Sequence, residues 1–90
     1  MHPDQTALMI DATCDEIKQM LLRKNADYGN SALSPLRIFS QADPVEQIRV
    51  RIDDKLSRIG SEGKKHFEED TVRDLIGYLI LLLIAAIPDP

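Results

Sequence analysis

Arg51, Lys55 and Arg58 recur at i, i+4 and i+7, so a helix carrying them presents three cations from one side. Such a stripe suits phosphate, because guanidinium offers a forked pair of donors and ammonium adds a compact point charge. Asp70 and Asp74 stand one helical turn apart, where like charges repel unless something positive lies between them. With Asp54 they form a protein shell sufficient for Mg²⁺, which commonly takes one or two carboxylates together with waters and substrate phosphate oxygens. Tyr28 supplies an aromatic face for stacking, and Asn30 an amide with both donor and acceptor atoms for reading a base edge.

Ordinary salt bridges explain many of the same residues. Arg51 with Asp54 and Asp54 with Arg58 fall at i,i+3 and i,i+4, worth about 0.2–0.5 kcal/mol each on a helix surface. Asp70 and Asp74 can equally bridge to the cations of a neighbouring helix, Tyr28 can pack at a helix end, and Asn30 can cap a turn. Spacing alone leaves these accounts open. His2 and His66 have no partner at metal-ligand spacing, and neither a phosphate-binding glycine loop nor a Ser-His-Asp arrangement is visible.

The elements that position these residues are helices. The 90 residues predict one helical domain over 1–90, with 43% hydrophobic residues but only two Phe, two Tyr and no Trp. Aliphatic side chains must therefore do the packing, and the expected class is all-α. A first helix over about 4–26 carries Ile10, Cys14, Ile17 and Leu21 on one face. Asp27 to Ser31 should stop it, leaving 27–42 as a loop in which Ser34-Pro35 can open a short helical turn through Phe39.

Asp43-Pro44-Val45-Glu46 reads as a strong helix start, with Asp43 as N-cap and Pro44 in the first position. The second helix is expected over about 44–59, with Val45, Ile48, Ile52, Leu56 and Ile59 as its apolar positions and Gly60 as its end. A third, over about 66–87, directs Val72, Leu75, Ile76, Leu79 and Leu83 inward. Its later half is apolar all round, which predicts burial on all sides and hence a homo-oligomer packed through helix 66–87. In the alternative, the first helix and the Leu36–Phe39 region cover that face.

The balance of charge narrows the partners. A net charge of -4 with a pI near 5.0 argues against a broad grip on duplex nucleic acid. The apolar run from Ile76 to Ile87 is shorter than the ~18 residues expected of a membrane span. Cys14 is the single cysteine, expected as a buried thiol in a reducing compartment, and no secretory signal opens the chain. A cytoplasmic location is therefore expected.

Three ordered motifs, Lys24-Asn25-Ala26-Asp27-Tyr28-Gly29-Asn30-Ser31, Arg49 through Arg58, and Glu69 through Tyr78, resemble the nucleotide modification associated domain family of small phage and prophage proteins. The resemblance spans about residues 17–84 and implies a nucleotide ligand, linear or cyclic, and the cytoplasm of a bacterial host. More distantly the chain is similar to the all-α MazG-like and dimeric dUTPase-like pyrophosphatases, which hydrolyse nucleoside triphosphates with Mg²⁺. Their paired acidic motifs are incomplete here. Glu46 is followed three residues later by Arg49, and Thr71 stands three before Asp74, so Asp54 and Asp70 are the nearest substitutes.

The resemblance thus implies a nucleotide pyrophosphohydrolase, whereas the missing carboxylates support a non-catalytic oligomeric sponge that sequesters nucleotide signals, cyclic ones among them, in anti-phage defence and needs phosphate and base contacts but no metal. In both, Tyr28, Asn30, Arg51, Lys55 and Arg58 face the nucleotide. A purely structural or partner-binding helical module is the remaining alternative.

Overall fold

A computed structural model describes residues 1–35, 38–62 and 69–88. Among them the chain is all-α, with α1 over Pro3–Asp27, α2 over Pro44–Glu62 and α3 over Glu69–Ala85. The expected positions 66–68 of the third helix lie outside the described residues.

Local chemistry sets most helix ends. His2 caps α1 through its ring: Asp4 N–H donates to His2 Nδ1 at 3.1 Å, and Gln5 Oε1 accepts from the His2 N–H at 3.0 Å. Proline then occupies the first helical position, where no intrahelical donor is needed. At the other end, Gly29 and Asn30 take φ of 59° and 63°, and the Asn30 N–H returns to the Asn25 carbonyl at 3.1 Å. This six-residue return satisfies a carbonyl that the terminated helix leaves open.

The Asn30 carbonyl in turn accepts from the backbone N–H groups of Leu33 and Ser34, so the loop folds tightly against the helix end. No helical turn forms over the described part of Ser34–Phe39, and Leu36 and Arg37 lie outside it. α2 begins as expected, with Asp43 Oδ1 accepting from the Glu46 N–H at 2.9 Å. It continues two residues beyond Gly60, because a glycine inside a helix costs only about 1 kcal/mol relative to alanine and its φ here is not positive. α3 closes on two tight i→i−3 bonds, Ala86 N–H to Leu83 and Ile87 N–H to Ile84.

α2 and α3 form an antiparallel pair, and α1 packs on α3 through its C-terminal half. Ile17 of α1 and Ile48 of α2 are the buried apolar side chains among the described residues, and Gly77 of α3 is buried with them. A Cβ on Gly77 would stand 3.0 Å from Leu21 Cδ2, so α1 and α3 approach closely at this glycine.

Two expected faces are redirected. Ile10 and Cys14 continue the stripe of Ile17 and Leu21 but are exposed, because α1 runs past the helix it packs on. In α3, Ile76, Leu79 and Leu83 point outward, while Asp74, Gly77, Tyr78 and Leu81 turn toward the other helices. The close approach at Gly77 sets that rotation. Hydropathy alone favoured the more apolar stripe.

Candidate functional site

The apolar stripe of α1 does not end in apolar residues. Lys24 and Tyr28 follow Leu21 at three and seven residues, so the face that docks Ile17 and Leu21 carries an ammonium and a phenol into the same region. On α2, Arg51 is three residues beyond buried Ile48 and faces the same way. On α3, Asp74 and Tyr78 flank Gly77. The three faces enclose a cavity of about 450 Å³ whose wall includes Tyr28, Tyr78, Lys24, Arg51, Asn25 and Asp74. That volume lies within the roughly 300–1,000 Å³ usual for small-molecule sites.

Asp74 is the electrostatic centre of this wall. Its Oδ1 accepts from Lys24 Nζ at 3.1 Å, and its Oδ2 lies 3.4 Å from Lys55 Nζ. One carboxylate thus ties all three helices together. The Lys55 side chain is only 14% exposed and that of Asp74 27%, so water screens this pair much less than the half-exposed Lys24. Beside it, Arg73 Nη2 meets Glu16 Oε1 at 2.6 Å and forms a second link between α1 and α3. A smaller mixed-charge cavity of about 400 Å³ lies there, bordered by Glu16, Arg23, Lys24, Asp70, Arg73 and Asp74.

Of the residues expected from sequence, Tyr28, Arg51 and Asp74 meet at the larger cavity. Lys55 reaches its edge through Asp74. Arg58 lies about 10 Å further along α2 and pairs with Asp54 at 3.3 Å, so neither residue lines the cavity. The three-cation stripe is therefore divided. Arg51 faces the cavity, Lys55 is committed to Asp74, and Arg58 stands apart. Asn30 shapes the left-handed turn that ends α1, and the cavity wall instead includes the amide of Asn25.

The expected metal set is divided as well. Asp54 pairs with Arg58, Asp74 lies between two ammonium groups, and Asp70 borders the smaller cavity. Among the described residues no three His, Cys, Asp or Glu side chains are grouped so as to hold a metal ion. The arrangement does not fit the expected magnesium shell, since a cation entering beside Asp74 would have to displace Lys24 and Lys55.

Sequence reasoning did not single out Lys24, Asn25 or Tyr78. Lys24 had a usable signal in its register with Ile17, Leu21 and Tyr28. Tyr78 had less, because its inward direction depends on the packing at Gly77. No helix among the described residues is long and apolar enough to cross a membrane. No family model matches the chain, and no curated protein or solved structure matches it either.

Proposed function

We propose that the chain binds a nucleotide in the cavity between its three helices and holds it without cutting it. The observation that carries this reading is that two aromatic residues, Tyr28 and Tyr78, line one cavity of about 450 Å³ together with Lys24 and Arg51. Phenol rings suit a base, which stacks on aromatic faces whatever its identity. Arg51 supplies the forked donors that phosphate oxygens favour, and Lys24 a second positive charge. The double bridge at Asp74 favours retention over hydrolysis, because a carboxylate holding two ammonium groups is poorly placed to serve a metal.

In this reading the protein works as a cytoplasmic, phage-type nucleotide sponge with homo-oligomer contacts along the outward face of α3. A Mg²⁺-dependent pyrophosphohydrolase is the second reading, favoured by Asp70 and Asp74 bordering one mixed-charge cavity.

A panel of linear and cyclic nucleotides, each with Mg²⁺ and with EDTA, separates the two when melting temperature and product release are followed together. Binding to the folded state raises its stability by mass action. A sponge gives a metal-independent rise in melting temperature with the ligand recovered intact. Arg51→Ala should weaken that binding about tenfold or more, equivalent to roughly 1.4 kcal/mol. Metal-dependent release of pyrophosphate would transfer the assignment to the enzyme, and no response to any nucleotide would reject both.

A further inference from the structure

Every residue from Pro3 to Asp15 is exposed and stands ahead of the Glu16–Arg73 bridge to α3, so the first half of α1 projects from the three-helix body as an arm. A helical segment of this length is marginal in water without packing on one face. Its apolar residues include Leu8, Met9 and Ile10, of which Ile10 is 59% exposed. Across the molecule, α3 leaves Ile76, Leu79 and Leu83 uncovered, with Leu79 45% and Leu83 73% exposed.

The whole chain shows the same deficit. A folded monomer of 10.1 kDa should expose about 5,300 Å², whereas this chain exposes 7186 Å². Its radius of gyration is 15.2 Å, against about 12 Å for a compact chain of this length. The excess surface is roughly 1,900 Å², more than twice the ~800 Å² that each partner buries in a standard interface and within the range of obligate homodimers.

We infer that the occupant of these surfaces is a second copy of this chain, with the α1 arm of each copy lying along the outward α3 stripe of the other. Charge decides against arms packed on one another. Residues 3–15 carry Asp4, Asp11 and Asp15 and no Lys or Arg, so arm-on-arm packing sets like charges face to face. The α3 segment from Leu75 to Ile87 carries no charged residue, and it accepts the apolar side of the arm while Asp4, Asp11 and Asp15 stay at the rim. The stripe from Ile76 to the end of α3 at Ala85 spans about 14 Å and therefore seats most of the arm's roughly 18 Å. The exchange is reciprocal, as a twofold dimer requires.

The test uses the full chain without nucleotide, so its outcome is independent of the proposed ligand. Sedimentation equilibrium from about 1 to 500 µM should show a species of twice the chain mass. Ile10→Glu on the arm and Leu79→Glu on α3 should each weaken association at least tenfold, whereas Val50→Glu, on α2 outside both surfaces, should not. Backbone amide exchange supplies the second readout. Residues 4–15 should be protected in the assembly, and Leu79→Glu should remove that protection although Leu79 belongs to a different helix. A wild-type chain that stays monomeric across this range would overturn the proposal. So would an arm that keeps its protection in Leu79→Glu, or a Val50→Glu variant that dissociates as readily as Ile10→Glu.

Discussion

Asp74→Asn should move stability and anion affinity in opposite directions. The substitution keeps the shape of the side chain and one acceptor oxygen but removes the charge between Lys24 and Lys55. The Lys24 pair is half open to water, where such bridges contribute about 0.2–1 kcal/mol. Lys55 is largely shielded at 14% exposure, and losing its charged partner there falls nearer the 1.5–3 kcal/mol of charge-assisted contacts. Because the amide still accepts from one lysine, the net loss should be about 1–2 kcal/mol, or roughly 5–15 °C in melting temperature for a domain of this size.

The same change unmasks Lys24 at the cavity wall and Lys55 behind it. For a phosphate about 6 Å from position 74, removing one negative charge favours binding by about 0.7 kcal/mol at the dielectric of water and about 2.8 kcal/mol at an effective value of 20. The middle of that interval corresponds to roughly twentyfold tighter binding. Thermal melting and isothermal titration with nucleotide in EDTA, at low and high salt, measure both effects, and the gain in affinity should shrink as salt screens it. Weaker nucleotide binding by Asp74→Asn, or an unchanged melting temperature, would refute the assignment of Asp74 as a clamp on two lysines.

The helix crossing and the α2 cap supply two more tests. Gly77→Ala should change stability by less than about 1 kcal/mol, since the helix-propensity gain offsets the contact with Leu21, while Gly77→Leu should lose about 1–3 kcal/mol by overpacking. Limited proteolysis should then cut α1 sooner, and a Gly77→Leu protein as resistant as wild type would remove Gly77 as the point of close approach. Asp43→Ala should lower stability by about 1 kcal/mol through loss of the α2 cap, read as a denaturation midpoint that falls at constant slope.

What the sequence by itself determined was local. Pro3, the Gly29-Asn30 pair and the Asp43-Pro44 start act through their own backbone and nearest neighbours, so the number of helices, the onset of α2 and the end of α1 could be read directly. His2 as a cap was harder to foresee, because its ring substitutes for the usual short polar side chain. Candidate cations and aromatics were also legible from residue type and register, above all Arg51 and Tyr28.

Which of those groups share a cavity was decided by tertiary structure. A helical stripe records periodicity but not which partner sets its rotation, and in α3 the close approach at Gly77 outweighed the greater hydrophobicity of Ile76, Leu79 and Leu83. Charge pairing is likewise a matter of distance. Arg58 with Asp54 is the i,i+4 pair that spacing along α2 already offers, whereas Lys55 belongs with Asp74 because the α2–α3 packing sets the two side by side, which no spacing along α2 encodes.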